Sequence, residues 1–118
     1  EGNPLQLEAC KKYSLPPYWY SAPQHVSYLT PKTLQLLLRR TGFEIVDCRG
    51  TFPMERFLLE GVNYIGNAVL GRVCHEQRMR EELQNVQDGT WPQREEAYRV
   101  NLQERIGREM IFIGRKTS

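Results

Sequence analysis

A chain of 118 residues that is 40% hydrophobic and 25% charged falls in the single-domain range and can bury an ordinary core. Its 16 Lys and Arg against 14 Asp and Glu leave a net charge of only +2, and the arginines are interleaved with glutamates rather than gathered into a stripe, which speaks against nucleic-acid binding. No apolar run approaches the ~20 residues that span a bilayer, no basic-then-apolar signal pattern opens the chain, and three cysteines without a C-x-x-C spacing argue against a disulfide framework or a zinc site; a soluble protein of a reducing cytoplasm is expected.

Residues 1 to 24 hold Pro4, Pro16, Pro17 and Pro23 together with Tyr13, Tyr18, Trp19 and Tyr20. Proline removes backbone donors and disfavours helix before it, so this segment is expected to be mostly irregular, with one short helix near Leu5 to Lys12. Two readings of it stay open: a binding or lid loop, or a PPYWY stretch that packs over a core edge. A helix follows, with Thr30 as N-cap, Pro31 where a missing N–H costs nothing, Leu34, Leu37 and Leu38 on one stripe, and Gly42 just past its end. FEIVDC then predicts a strand from Phe43 to Phe52, closed by Pro53. From Met54, the residues Phe57, Leu58, Val62, Ile65 and Val69 recur at helical spacing, and Met79, Leu83 and Val86 form a second stripe; two helices broken near Gly66 and Asn67 are expected. Thr90 is placed to cap a third helix with Tyr98, Leu102 and Ile106 on its inner face and Gly107 at its end. REMIFIG closes the series as a strand buried on both faces. Such a strand needs two neighbours, so its composition suits a larger sheet than the two strands legible here.

Few motifs carry chemistry. GNAVLGRV, Gly66 to Val73, echoes a phosphate loop but has Arg72 and Val73 where Lys and Ser or Thr are required, and no strand precedes it; no G-x-G-x-x-G occurs at all. Cys74 and His75 are adjacent, hence ~100° apart on a helix, and read as a buried thiol beside a surface imidazole. The charge-alternating runs EQRMREE and REEAYRVNLQER read as solvated helix faces. His25 lies between the proline-aromatic segment and a helix start, where loop residues usually face a cleft. It reads either as a proton acceptor or as a residue packing the turn with Tyr28. Glu55 and Arg56, past the strand end, read as groups orienting a polar substrate or as a surface ion pair.

The run HVSYLTPKTLQLLLRRTGFEIVD, preceded by NPLQ and PPYWYSAP and followed by FPMERFLL and IGREMIFIGRK, resembles the C-terminal half of class I S-adenosylmethionine-dependent methyltransferases of the small-molecule type. The resemblance covers nearly the whole chain. It implies an α/β fold, the C-terminal portion of a Rossmann-like sheet. In it the strand from Phe43 would be strand six and Glu109 to Gly114 an antiparallel strand seven, inserted between strands five and six. Residues 1–29 would form a substrate-side loop, 30–52 helix and strand, 53–107 an enlarged helical insertion, and 108–118 the terminal strand. It further implies His25 as catalytic base and Trp19, Tyr20 and Tyr28 as residues shaping the pocket for a small-molecule acceptor; Glu55, from its place just past the strand end, joins them as an expected substrate-binding residue. The intact family fold uses S-adenosylmethionine as cofactor. None is expected to bind this chain alone, because the family's glycine-rich loop and ribose-binding carboxylate are not in it. The expected partners are a missing N-terminal half or a second copy, with no nucleic acid and no membrane. A non-catalytic dimerisation or interaction module is the rival reading.

Overall fold

In the computed structural model, which describes residues 3–21, 23–25 and 27–117, the elements run α1 (Pro4–Tyr13), α2 (Pro31–Arg40), β1 (Phe43–Gly50), α3 (Glu55–Leu59), α4 (Ala68–Gln87), α5 (Trp91–Glu104) and β2 (Met110–Lys116). The described residues are thus mixed α/β, with five helices and one two-stranded antiparallel sheet. No helix among them is long and apolar enough to cross a membrane.

Local chemistry starts the first two helices. Asn3 and Gln6 cap each other reciprocally, at 2.9 Å and 2.8 Å. Thr30 and Thr33 do the same for α2, the Thr30 hydroxyl accepting from the Thr33 amide at 3.2 Å and the Thr33 hydroxyl from the Thr30 amide at 2.8 Å. Each pair satisfies amides that a helix start leaves without partners. Gly42 holds φ +86°, the left-handed turn that lets α2 pass into β1 with only Thr41 and Gly42 between Arg40 and Phe43. Thr30→Ala is expected to lower stability by about 1 kcal/mol, seen as a lower urea midpoint at unchanged slope.

β1 and β2 pair from Phe43↔Lys116 to Gly50↔Met110, with an irregularity between Ile45 and Asp47. Asp47 and Arg49 point to one face of the strand, where α5 meets them: Arg99 bonds Asp47 at 3.1 Å, and Arg49 pairs with Glu95. The Arg99 guanidinium holds the Asp47 carboxyl below its ordinary range. The charge runs of the helices are therefore more than solvated faces, because Glu95 and Arg99 tie α5 to the sheet. On the core side, Phe52, Met54, Phe57, Cys74 and Tyr98 form one cluster, with Val62, Tyr64 and Trp91 against it. α1 docks on α3, where the Tyr13 hydroxyl donates to the Leu58 carbonyl and Lys12 to the Leu59 carbonyl, both at 2.6 Å.

Several expectations are corrected. β1 ends at Gly50, and Phe52 turns inward to fill the core instead of extending the strand. The stripe from Met54 is no continuous helix: α3 stops after five residues because Gly61, at φ +106°, turns the chain back, and Val62 and Tyr64 return to the core from a loop. Met79, Leu83 and Val86 face outward, because α4 touches the core through Cys74 in its first half. The Thr90 hydroxyl bonds Asp88 and leaves the α5 amides uncapped, and Arg105 in the left-handed region, not Gly107, ends that helix. β2 is not buried on both faces. Its only neighbour among the described residues is β1, and Ile111 and Ile113 are 37% and 48% exposed. The Cα radius of gyration is 16.0 Å, against roughly 13.5 Å for a compact domain of this length.

Candidate functional site

The turn after β1 aims the first residue of α3 inward. Glu55 is 1% exposed, flanked on its helix by buried Phe57 and Leu58. Its Oε1 accepts from the Tyr18 hydroxyl at 3.5 Å, the outer limit of a hydrogen bond, and its Oε2 has no hydrogen-bond partner. A buried carboxyl group with one oxygen unpartnered is destabilising by a few kcal/mol. Arg56 does not pair with it. Arg56 instead reaches Glu60 at 3.2 Å and Glu81 at 2.8 Å and lies over the Phe52 ring, 4.7 Å from its centre. The expected surface ion pair of Glu55 with Arg56 is thus replaced by a buried acid beside an outward arginine.

Two phenols report the same buried acid. Burial, then the Glu55 charge, pushes the Tyr18 hydroxyl far above its ordinary value. Tyr64 is pushed up to about 12, first by burial and next by Glu55, with the Arg108 guanidinium acting against both.

From Tyr18 an aromatic ladder runs outward. Tyr18 meets Trp19 edge-on at 5.5 Å, Trp19 meets Tyr20 at 5.9 Å, Tyr20 meets Tyr28 edge-on at 5.1 Å, and Tyr28 stands 6.5 Å from His25, all between ring centres. Edge-to-face pairs of this kind contribute about 0.5–1.5 kcal/mol each. They fold the proline-rich segment onto the start of α2 without a regular element. The Ser21 amide donates to the Tyr28 hydroxyl at 2.9 Å and the Ser21 carbonyl accepts from the His25 amide at 2.7 Å. Trp19, Tyr20, Tyr28 and His25 are therefore brought together, with Tyr20, Tyr28 and His25 exposed. Glu55 joins them only through Tyr18.

Beside Glu55 lies a cleft of about 390 Å³. Thr51 and Phe52 close one side, Tyr64 another, His75 and Arg78 of α4 a third, and Arg108 with Glu109 the mouth. The Tyr64 hydroxyl and the Arg78 Nε are buried without a hydrogen-bond partner, while Arg78 Nη1 reaches Glu82 at 3.2 Å. Tyr64, Arg78 and Arg108 carried no motif in the sequence; Tyr64 sits in the unpatterned GVNYIGN, and Arg108 reads as a flanking charge of the last strand. Cys10, Cys48 and Cys74 are all free thiols, and burial pushes the Cys74 thiol up. Compared with family models, curated proteins and solved structures, the chain matches none.

Proposed function

We propose that this chain is the substrate side of an S-adenosylmethionine-dependent methyltransferase of Rossmann-like type, acting in the cytoplasm on a small-molecule acceptor. One observation carries the reading: helix α2, strand β1, three helices and an antiparallel β2 follow in the order the resemblance implies, and the edge of β2 away from β1 is free among the described residues while its Ile111 and Ile113 are exposed. A fifth strand on that edge, from an N-terminal half, gives β2 the second neighbour its composition suits. The residues present do not fit the methyl donor itself. Gly66 and Gly71 flank the start of α4 with open space around them instead of a close backbone approach, no strand among the described residues leads into that turn, and the one buried acid among them, Glu55, faces Tyr18.

What this chain contributes is acceptor binding. Trp19, Tyr20 and Tyr28 form an aromatic wall, Glu55 sets the polarity behind it, and His25 at the outer end accepts the proton of the acceptor's attacking oxygen or nitrogen. Holding that atom in attack geometry supplies most of the acceleration in such a displacement. In the enzyme completed by a glycine-rich half, His25→Ala is expected to lower kcat by about 10²-fold or more with little change in KM. The chain alone is expected to give no saturable heat when S-adenosylmethionine is titrated into it. Saturable binding of the donor by this chain alone overturns the division of labour, and unchanged turnover in His25→Ala returns His25 to a packing role.

The free β2 edge also favours a second reading, a non-catalytic module that pairs with its own copy edge to edge. Sedimentation across a range of concentrations separates the two: a strict monomer removes the module.

A further inference from the structure

We infer that the cleft between Tyr64, α4 and the α5–β2 turn binds a small molecule with an anionic head, a carboxylate or a phosphate, on an apolar body. Among the groups facing it, hydrogen-bond donors predominate. The Tyr64 hydroxyl and Arg78 Nε are buried and unpartnered. The Thr51 hydroxyl accepts from the Glu109 amide at 2.9 Å and keeps its own proton to donate. Arg108 at the mouth has no carboxylate within ion-pair distance among the described residues, and its guanidinium already draws the Tyr64 phenol down against burial. Buried donors left without acceptors cost free energy, and an oxyanion with several lone pairs satisfies three or four of them at once.

Size and lining narrow the class further. A volume of about 390 Å³ lies within the range of small-ligand pockets, and it exceeds what a bare inorganic anion fills. Phe52 and Met54, both buried, line the rest of the cleft and offer an apolar surface to the ligand's body. The carboxylates that oppose an anion are Glu109, exposed at the mouth where solvent screens it, Glu82, already paired with Arg78, and Glu55, whose charge acts on Tyr64; Arg108 is left as the cation of the cleft without a carboxylate partner among the described residues. The inference deepens the acceptor reading by giving the acceptor an anionic head, and rests on that reading only for this identification. Binding in the cleft is measured with no methyl donor present, so the two stand or fall separately.

The test is a titration of the ¹⁵N-labelled chain with phenylacetate and, separately, phenyl phosphate, each against sodium chloride at matched ionic strength. The side-chain N–H signals of Arg78 and Arg108 are followed. A saturable shift at Arg78, weakened about tenfold or more in Arg108→Gln and in Tyr64→Phe, is expected. Saturation by phenylacetate alone assigns a carboxylate, by phenyl phosphate alone a phosphoryl group, and by both a site that reads charge. Because Arg108 is exposed and Tyr64→Phe keeps the ring, both variants should hold the parental amide spectrum. Shifts no larger than those in chloride for either probe, or parental affinity in both variants, overturn the inference.

Discussion

Gly107→Ala is expected to lower the unfolding free energy by about 3 kcal/mol, out of proportion to a single methyl group added beside a surface turn. A Cβ built at Gly107 meets the Thr51 amide nitrogen at 2.9 Å, and Gly50 Cα and the Thr51 carbonyl oxygen at 3.1 Å. These are backbone atoms at the end of β1, which a rotamer change cannot move aside. Gly50 faces the same crossing from the other side, its own added Cβ lying 3.3 Å from the Leu102 amide nitrogen and the Tyr98 carbonyl oxygen. The two glycines let β1 pass against α5 and the turn into β2. That places Tyr98 in the core, and it places Arg108 and Glu109 at the mouth of the cleft. Chemical denaturation of the variant checks the loss. A change within about 0.5 kcal/mol, the usual range for surface substitutions, shows that the crossing relaxes freely and that the glycine contact does not position the cleft.

Glu55→Met is expected to act in the opposite direction, raising the unfolding free energy by about 1–2 kcal/mol. Glu55 is as buried as the residues of the core, yet one oxygen has no partner and the other a single contact at 3.5 Å. A methionine of similar volume removes the desolvation cost and gains transfer free energy from the same site. The same substitution withdraws a negative charge from two phenols, so the tyrosinate titration of Tyr64 is expected to begin below its present value of about 12, and that of Tyr18 to fall with it. If the chain is completed as the methyltransferase proposed above, acceptor turnover is expected to drop while stability rises, the pattern of a group kept for function at the expense of stability. A variant that loses stability, with both phenols unmoved, shows that Glu55 is held by interactions stronger than its single long hydrogen bond and removes it from the site.

How much of the fold is legible in the sequence differs from element to element. α2 and β1 follow from neighbours in the chain: Thr30 and Thr33 cap each other, Gly42 takes the left-handed turn, and alternating residues make a strand. Expectations based on apolar spacing over longer stretches fared worse. Met54 to Val69 carries helical spacing, yet Gly61 breaks it after α3, and the stripe of Met79, Leu83 and Val86 is regular but solvent-facing. Periodicity shows that one face of a helix is apolar, whereas the surface that covers it is chosen by packing between distant segments.

The candidate site divides in the same way. Proline marks the segment before α2 as irregular, whereas the grouping of Trp19, Tyr20, Tyr28 and His25 was implied only by the resemblance; in the structure their rings pack in series. Glu55 read either as a group orienting a polar substrate or as half of a surface ion pair; its burial is decided by the fold, where Tyr18 reaches it and α1 docks on α3. The donor-lined cleft left no trace in the order of residues. Thr51, Tyr64, Arg78 and Arg108 are well separated in the chain yet line one cleft, Thr51 and Arg108 because the Gly50–Gly107 crossing sets the end of β1 against the turn into β2. Capping, turns and strand alternation act over three or four residues and are written in the chain locally. Burial of a charge and convergence of donors arise from contacts between remote segments, and those exist only once the chain has folded.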